Sequence, residues 1–474
     1  MQTTPKWMKG LAVEVAGHGV VSHVGSAVTR MLAFKVGLTG GLSGALRVAG
    51  REVVHDRGQV LADLAVVVAD GGTAIGHIRT LRDQGELFGP VASASTAWRS
   101  LAEVTPRALA KIALVRARAR RRVWELIVAR HGRIPPSRTC YGDAGEQIVI
   151  RLDATIQIAH SDKEGAAGTF KGTYGTHPLT AWCDNTEESL AVKLRPGNAG
   201  SNTIADHIEV LSEAITQIPG RYRRRILVTI DGAGASIELL KFITALNTLR
   251  RDVHYSVGFD LDKRAKDAIA VLSERHWICV LDDEGNARDP GEAGLADLTG
   301  LLRESAGGDQ LGNWPEGLRV VVRREKPGSG AKLSDFEKEQ GWRYQLTATN
   351  TPAAALPLQK AEARHRVHAR VEDFIRNGKN TGLAHLPSWS FSINQAWCAV
   401  AAIGCDLLAW LRLLCLDGDH ARAEPGSLRY TLLHTSARLV RGQRKRTLKI
   451  PGTWPFAHQL AAALAVVLAM PNPP

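Results

Sequence analysis

The chain has 474 residues, of which 44% are hydrophobic. This length and composition allow two or three domains with buried cores and exclude a disordered tail. The 60 Lys and Arg residues outnumber the 47 Asp and Glu residues and give a formal net charge of +13, which favours a polyanionic partner such as nucleic acid. The alternative is a basic enzyme whose charge only promotes solubility, because net charge says little about fold.

The cysteines and the apolar segments bear on the compartment. None of the 6 cysteines forms a CxxC pair, which argues against a zinc ribbon. Free thiols in a reduced cytoplasm are therefore expected. The first residues lack the apolar core of a signal peptide, and the apolar stretch 460–470 is too short to cross a bilayer, so no membrane association is expected.

The first part of the chain has a helical pattern. Residues 1–105 mix helical spacing with glycine breaks and predict a compact helical unit. Residues 106–146 contain a long helix, which carries no Gly or Pro between Pro106 and Gly132, and a linker. The arginines of this helix are Arg116, Arg118, Arg120, Arg121 and Arg122. Two interpretations remain open: a phosphate-contacting helix anchored by Trp124, or a solvated connecting helix.

Residues 147–275 change to a pattern of strands and helices. The segments EQIVIRLDATIQIAH, GTFKGTYGTHPLTAWCDN and SLAVKLRPGN predict three neighbouring antiparallel strands. A helix capped by Ser201 or Asn202 follows, and then the strand ILVTID, the helix SIELLKFITALNTLR, the strand VHYSVGFD and another helix. This order predicts an α/β fold with a mixed sheet flanked by helices.

The remaining third of the chain divides into two parts. Residues 276–350 contain short strand-like pieces, such as WICVLD, LRVVVRREK and GWRYQLTATN, and predict an inserted β-rich unit. The helical pattern resumes in residues 351–474, where INQAWCAVAAIGCDLLAWLRLLCL has the composition of a buried helix.

Two acidic residues stand in unusual positions. Asp153 lies inside the apolar run IVIRLDATIQI, where an uncompensated carboxylate costs several kcal/mol. Asp231 ends the strand ILVTID, at the edge where open α/β sheets place their sites. The two acids could converge on a metal ion, or each could be a turn or helix-cap residue. The following DGAGAS lacks the third glycine of GxGxxG and a GK[ST] ending, which argues against a nucleotide site.

Several fragments in a fixed order carry a resemblance to a known family. They are LADLAVVVADGGTAI, LRDQGELFGPVAS, WCDN, RPGNAGSNTIADH, ILVTIDGAG, VEDFIRNGKNTGLAHLPS, LLAWLRLLCLDG and LRYTLLHTSARLV. Their order resembles the DDE-type insertion-sequence transposases, specifically the family numbered thirteen-eighty. The resemblance implies an RNase H-like catalytic core, interrupted by a β-rich insertion between the second and third acids, with a helical N-terminal region that binds DNA.

By this resemblance, Asp153, Asp231 and Glu372 are the three catalytic acids. Lys379 lies seven positions after Glu372, two helical turns on and on the same face. Asp373 is a rival for the third acid, because spacing alone cannot separate adjacent carboxylates.

The chain departs from the family upstream of Glu372. His365 and His368 stand where relatives carry Tyr and Arg, and helical spacing places both on the Glu372 face. Neutral imidazole is a weaker partner for phosphate than guanidinium, so Arg366, Arg370 or Arg376 could substitute.

The implied chemistry needs oxygen ligands for metal ions. Cutting a phosphodiester and joining the freed 3′ oxygen both place negative charge on oxygens that two Mg²⁺ ions, or Mn²⁺, can stabilise. We expect Asp153 to bridge the two ions, Asp231 and Glu372 each to complete one coordination shell, and Lys379 to contact DNA phosphate.

Other residues are candidates for DNA contact or for the core. The expected DNA contacts beside Lys379 are Arg118, Arg121, Arg122, Arg195, Asn198, Arg366, His368, Arg370 and Arg376. Core positions are expected first for Trp182, Trp389, Trp397 and Trp410, with Trp389 the one fair candidate for stacking on a base. His160, His177 and His207 lack paired metal-ligand spacing.

The resemblance implies a transposase that binds the terminal inverted repeats of its element and target DNA as double strands, and cuts and transfers strands. A homodimer at synapsis and a bacterial-type, nucleoid-associated location in the cytoplasm are expected with it. Two alternatives remain: a catalytically inactive DNA-binding descendant, and an RNase H-fold nuclease that cuts without joining.

Overall fold

The computed structural model describes residues 11–47, 50, 53–200, 203–305, 307–442 and 445–473. Nine strands form one mixed sheet in the order β6-β7-β8-β9-β5-β4-β1-β2-β3. Their bounds are β1 Ile148–Ala154, β2 Leu179–Cys183, β3 Glu188–Lys193, β4 Arg225–Ile230, β5 Asp252–Phe259, β6 Ile278–Cys279, β7 Ala293–Asp297, β8 Arg319–Glu325 and β9 Arg343–Thr349.

Helices surround this sheet and form most of the rest of the described chain. The longer ones are α1 Ser26–Lys35, α2 Leu38–Leu46, α3 Arg57–Ala69, α4 Ala94–Ala102, α5 Pro106–His131, α6 Ile204–Gln217, α7 Ile237–Ala245, α8 Lys263–Ala270, α9 Leu358–Arg366, α10 Arg370–Gly378, α11 Phe391–Cys415 and α12 Ala457–Ala469. Shorter helices are Arg79–Arg82, Gly85–Phe88, Thr299–Arg303, Asp335–Gln340 and Pro425–Leu428. The protein is therefore a mixed α/β protein with a large mixed sheet and many helices.

The centre of the sheet consists of β1 to β5. Strands β1, β2 and β3 are antiparallel neighbours, as the sequence predicts. Strand β4 pairs in parallel with both β1 and β5. Because parallel neighbours need a crossover connection, α6 lies between β3 and β4 and α7 between β4 and β5. The carboxyl ends of β1, β4 and β5 consequently lie at one edge of the sheet.

The segment predicted as a β-rich insertion extends this same sheet. Strands β9, β8, β7 and β6 continue it beyond β5, each antiparallel to its neighbour. The predicted strand segments correspond to β6, β8 and β9, whereas β7 has the sequence AGLAD, which carries little strand pattern. Alanine and glycine are weak strand formers, so pairing with β8 rather than local propensity accounts for β7.

Helix α11 is the central helix of the described helical layer. It packs against α3, α5 and β3, and Trp397 and Trp410 are fully buried. It is long and apolar enough to cross a membrane by length and composition alone, but 83% of its apolar window is buried within the chain. The buried helix predicted from INQAWCAVAAIGCDLLAWLRLLCL is confirmed.

A buried ionic network joins α5, β3 and α11. Arg120 is fully buried and lies 2.8 Å from both Glu188 Oε1 and Asp406 Oδ2. Arg116 reaches the same Asp406 oxygen at 3.0 Å. Trp124 donates its indole N–H to Glu188 at 2.7 Å. Two arginines of α5 therefore compensate buried acids, a role that neither interpretation of this helix includes, and Trp124 is a fully buried member of the same network.

Small sheets complete the described fold. Val20–Val21 pairs with Ala437–Gly442, which pairs with Lys445–Lys449. Gln157–Ile158, Tyr174–Thr176 and Ala167–Gly168 form a three-stranded unit in the loop between β1 and β2, and Arg138–Thr139 pairs with Gly142–Asp143. Helix α6 begins at Ile204 after Thr203, and the predicted caps Ser201 and Asn202 lie outside the described residues.

Replacing Arg120 tests the buried network. Arg120→Met should lower the free energy of unfolding by about 3–5 kcal/mol, because it leaves the buried carboxylates of Glu188 and Asp406 without this counter-charge. Urea unfolding followed by circular dichroism measures the change. Arg121→Met, at an exposed neighbouring position on α5, is the matched control and should stay within about 0.5 kcal/mol of the unchanged protein. Equal effects of the two substitutions would contradict the network.

Candidate active site

Asp153 lies near the carboxyl end of the central strand β1. It pairs with Thr180 of β2, while its neighbour Leu152 is fully buried on the opposite face. Successive side chains of a strand point to opposite faces, so Asp153 emerges where the burial of β1 decreases towards Ala154. The buried first half of the strand thereby fixes the position of this carboxylate.

Asp231 follows directly after β4 and begins a tight turn. Because β4 is parallel to β1, the two acids lie at the same edge of the sheet. Gly258 of β5 permits this turn, since a Cβ atom there would lie 2.7 Å from the backbone nitrogen of Gly232 and 3.0 Å from the carbonyl carbon of Asp231. The absence of a side chain at Gly258 therefore helps to position Asp231.

Glu372 is exposed on α10, a helix that packs across the sheet. Phe374 contacts Trp182 of β2 with ring centroids 6.2 Å apart. A Cβ atom at Gly378 would lie 2.9 Å from the Trp182 ring, so glycine permits the close approach of helix and strand. Packing of the apolar face of α10 thus presents Glu372 near the sheet edge that carries Asp153 and Asp231.

The three acids share one electrostatic environment. The pKa of Asp153 is raised to about 7, first by burial and then by the negative charges of Asp231 and Glu372. Opposing effects come from a backbone hydrogen bond and from Lys171. Two other carboxylates therefore lie close enough to Asp153 to disfavour its ionised form.

The three acids do not form a tight cluster of ligand atoms. Among the residues that the structure describes, their oxygens do not all lie within 4.8 Å of one another. The donor set fits a hard divalent cation, because it offers carboxylate oxygens from three elements at one edge of the sheet.

Two lysines lie beside the acids. Partial burial lowers the pKa of Lys379, the positive charge of Lys171 lowers it further, and Asp153 opposes the change. Lys379 was predicted as a DNA contact. Lys171 was not, because it belongs to the exposed loop between β1 and β2 and no sequence spacing connects it with the acids. The signal that could have indicated it is the cluster of basic and aromatic residues FKGTY.

Asp373, the rival for the third acid, has a different environment. Its carboxylate lies 2.8 Å from Arg376, which is one turn further along the exposed face of α10. Arg376 also lies 2.5 Å from Glu424. By contrast, it is the negative charge of Glu372 that helps to raise the pKa of Asp153. These contacts favour Glu372 as the third acid of the site.

The prediction that His365 and His368 share the Glu372 face is wrong. The helix is interrupted at Val367–Ala369, and the two imidazoles turn inward. His368 Nδ1 lies 2.9 Å from Thr229 Oγ1 of β4, and His365 Nδ1 lies 3.1 Å from Ser256 Oγ of β5. Burial, assisted by nearby positive charge, lowers the pKa of His365 to about 4 and that of His368 well below its usual value. His368 is therefore neutral and buried in the wall of the cleft beside Asp231, which corrects the prediction that it contacts DNA.

The other predicted DNA contacts fall into two groups. Exposed side chains are those of Arg118, Arg121 and Asn198. Arg195 is 1% exposed and donates to the carbonyl oxygen of His177 at 2.9 Å, which favours a structural role and corrects that prediction. Arg122 donates to the backbone oxygens of Pro471 and Asn472, and so holds the described end of the chain.

The arginines on and next to α10 form hydrogen bonds or ion pairs within the chain. Arg366 donates to the carbonyl oxygen of Leu281 at 2.7 Å. Arg370 lies 3.6 Å from Asp184, with 43% of its side chain exposed. Arg370 and Arg376 remain accessible to a polyanion, and contact with DNA stays a prediction for both.

The tryptophans differ in burial. Core positions are confirmed for Trp182, Trp397 and Trp410, whereas the core prediction is wrong for Trp389, which is 65% exposed. The backbone of Trp389 accepts a hydrogen bond from Glu164 N at 3.0 Å, in the loop that carries Lys171. Phe170 of that loop is 70% exposed. Phe170, whose ring centroid lies 5.6 Å from Lys171 Nζ, therefore offers an aromatic face beside the lysines, and Trp389 offers one beside the same loop.

A cleft of about 620 Å³ opens beside Asp231. Its wall includes Arg323 of β8, Tyr344 of β9 and Arg366 of α9. The strands of residues 276–350 therefore line the space next to the site.

The fold and the site together define a mixed α/β protein with a carboxylate and lysine cluster at the carboxyl edge of its central strands. The chain belongs to the family described as Transposase DDE domain group 1, which matches residues 4–472. A solved structure of the piggyBac transposase synaptic complex with hairpin DNA is similar at a TM-score of 0.39 and 10% identity, covering 86% of this chain and 80% of that chain. No curated protein matches the chain.

The raised pKa of Asp153 predicts a dependence of stability on pH. The folded protein binds more protons than the unfolded chain between about pH 4, the ordinary pKa of Asp, and about pH 7. Stability contributed by the protonated carboxyl is therefore lost as the pH rises through this window. In the presence of a chelator, Asp153→Asn should raise the free energy of unfolding by about 1–3 kcal/mol more at pH 8 than at pH 5. A pKa shift of one unit corresponds to about 1.4 kcal/mol.

Urea unfolding at the two pH values measures this difference. Asp373→Asn removes a surface carboxyl and should change stability equally at both. A pH-independent effect of Asp153→Asn would show that burial and the neighbouring acids do not raise the pKa of Asp153.

Proposed function

We propose that this protein is a transposase that binds the ends of its mobile element and catalyses metal-dependent cleavage and transfer of DNA strands. One observation carries the proposal: the negative charges of Asp231 and Glu372 both raise the pKa of Asp153 at one edge of the sheet. The three residues come from distant positions in the chain. Membership of the DDE transposase family supports it. The central strand order β3-β2-β1-β4-β5 supports the proposal that this core is RNase H-like.

The proposed ligands are the carboxylates of Asp153, Asp231 and Glu372. Bound Mg²⁺ or Mn²⁺, two ions in the proposal, would stabilise negative charge on the attacking and leaving oxygens of the phosphodiester. The central position of Asp153 suits a carboxylate shared by both ions. Asp231 on a strand end and Glu372 on α10 approach it from different elements, which leaves coordination positions for substrate.

The basic and aromatic residues around the acids would hold the DNA. Lys379 and Lys171 place positive charge beside Asp153, where the phosphate to be cut would lie. Exposed Trp389 and Phe170 offer faces for a base that leaves the duplex. Arg370 and Arg376 extend this surface along α10. Because two ends must be brought together, we propose a homodimer at synapsis, acting in a bacterial-type cytoplasm.

Substitution of each acid tests the proposal. Asp153→Asn, Asp231→Asn and Glu372→Gln should each reduce Mg²⁺-dependent cutting of element-end DNA by at least about 100-fold, because metal ligation supplies several kcal/mol of charge stabilisation. Gel assays measure nicks and joined products, and a parallel shift assay measures DNA binding, which should persist. Asp373→Asn is the matched control, adjacent on the same helix, and should cut normally.

The outcomes separate the alternatives. Binding without nicks by the unchanged protein would indicate an inactive DNA-binding descendant. Nicks without joining of 3′ ends to target DNA would indicate a nuclease. Normal cutting by any one of the three acid variants would remove that residue from the proposed mechanism.

The salt dependence of DNA binding tests the proposed role of the two lysines. Lys171→Ala and Lys379→Ala should each weaken binding to DNA of any sequence and reduce the slope of log affinity against log salt by about 1, because each loses one phosphate contact. Fluorescence anisotropy across a salt series measures the slope. Lys111→Ala, at an exposed position on α5, is the control. An unchanged slope in both site variants would place the DNA elsewhere.

A further inference from the structure

A second group of potential metal ligands lies outside the acid cluster. His23, Asp70 and His434 each offer one ligand atom, and the three atoms lie within 4.8 Å of one another. His23 Nδ1 is 2.7 Å from Asp70 Oδ2, and His434 Nε2 is 3.5 Å from Asp70 Oδ1. The two imidazole rings are tilted by 51° to each other, with centroids 4.5 Å apart. Three residues from distant parts of the chain therefore point at one position.

The backbone around this group is constrained to hold it. His23 has a φ of +53°, in the left-handed region that is uncommon for residues other than glycine. Such strain is typical of functional positions. Asp70 ends α3 and is buried, and Ser26 Oγ donates to its Oδ1 at 2.5 Å. A hydrogen bond of this kind orients a ligating carboxylate.

The donor chemistry indicates a class of cation. Two imidazole nitrogens and one carboxylate oxygen form a set that suits borderline first-row divalent ions better than Mg²⁺. The side chains of His23 and His434 are 30% and 43% exposed, so an ion and a solvent ligand could reach the position. We propose that His23, Asp70 and His434 form a binding site for a cation of the Zn²⁺ class, distinct from the acidic site.

Such an ion would link three segments that are distant in the chain. His23 precedes α1, Asp70 ends α3, and His434 follows the turn Arg429–Leu433. Arg429 donates to the carbonyl oxygens of Ala69 at 2.9 Å and Asn380 at 2.8 Å. Asn380 follows Lys379 in the turn after α10. The proposed ion therefore lies on a bonded path to the segment that carries Glu372 and Lys379.

Cobalt binding tests the site in the full-length protein. After removal of metal by a chelator, Co²⁺ is added in an excess of Mg²⁺, which occupies oxygen-ligand sites. One equivalent of Co²⁺ should produce the visible absorption of a nitrogen-ligated ion, without the charge-transfer band of thiolate ligands, and Zn²⁺ should abolish it. Zn²⁺ should also raise the Tm.

Two substitutions provide the comparison. His434→Gln removes the imidazole and keeps an N–H that can donate to the Asp70 carbonyl oxygen, the contact at 2.8 Å that His434 Nε2 would exchange for the ion. It should weaken Co²⁺ binding at least about 10-fold and remove the Zn²⁺ effect on Tm. His458→Gln, at an exposed position on α12, should change neither. Failure of the unchanged protein to bind Co²⁺, or equal binding by His434→Gln, would overturn the proposal and leave the transposase proposal intact.

Discussion

Repulsion among three carboxylates is the interaction that the rest of this structure must oppose. Asp153, Asp231 and Glu372 come from a strand, a turn and a helix, and burial, together with the negative charges of Asp231 and Glu372, raises the pKa of Asp153 to about 7. Burial of apolar surface holds them there: the buried half of β1 fixes Asp153, and the contact of Phe374 and Gly378 with Trp182 fixes α10. The free energy of packing is therefore used to keep like charges near one another, an arrangement that a divalent cation would relieve.

The remainder of the chain supports this edge of the sheet. The network of Arg120, Glu188 and Asp406 joins α5 and α11 to β3, on the opposite side of β2 from β1. Strands β6 to β9 extend the sheet beyond β5 and line the cleft beside Asp231. The proposed ion site of His23, Asp70 and His434 would add a further restraint near the end of α10. Asp153 and Glu372 are thus placed on a strand and a helix and Asp231 directly after a strand, whereas Lys171 lies in the exposed loop between β1 and β2.

Much of the fold could be predicted because its signals are local. The apolar runs of β1 and β4 and the long helices α5 and α11 follow from pattern alone, and a polar residue interrupting such a run identified Asp153. Glu372 required a resemblance, since no local rule separates it from Asp373. Lys171, the inward rotation of His365 and His368, and the ion pairs of Arg116 and Arg120 depend on tertiary contacts. The break at Val367–Ala369 removes the helical periodicity on which the histidine prediction relied. The burial of Arg195 could not be predicted, because the sequence around it has the composition of an exposed polar turn.

The central claim is that Asp153, Asp231 and Glu372 together bind divalent cations at the cutting site. Anomalous diffraction at the manganese edge, from crystals of the protein with Mn²⁺ and element-end DNA, tests it most directly. The account predicts anomalous peaks bounded by these three carboxylates, with Asp153 nearest to both ions if two are present. Ordered Mn²⁺ that is bound elsewhere, while the three carboxylates stay apart around the DNA, would contradict it.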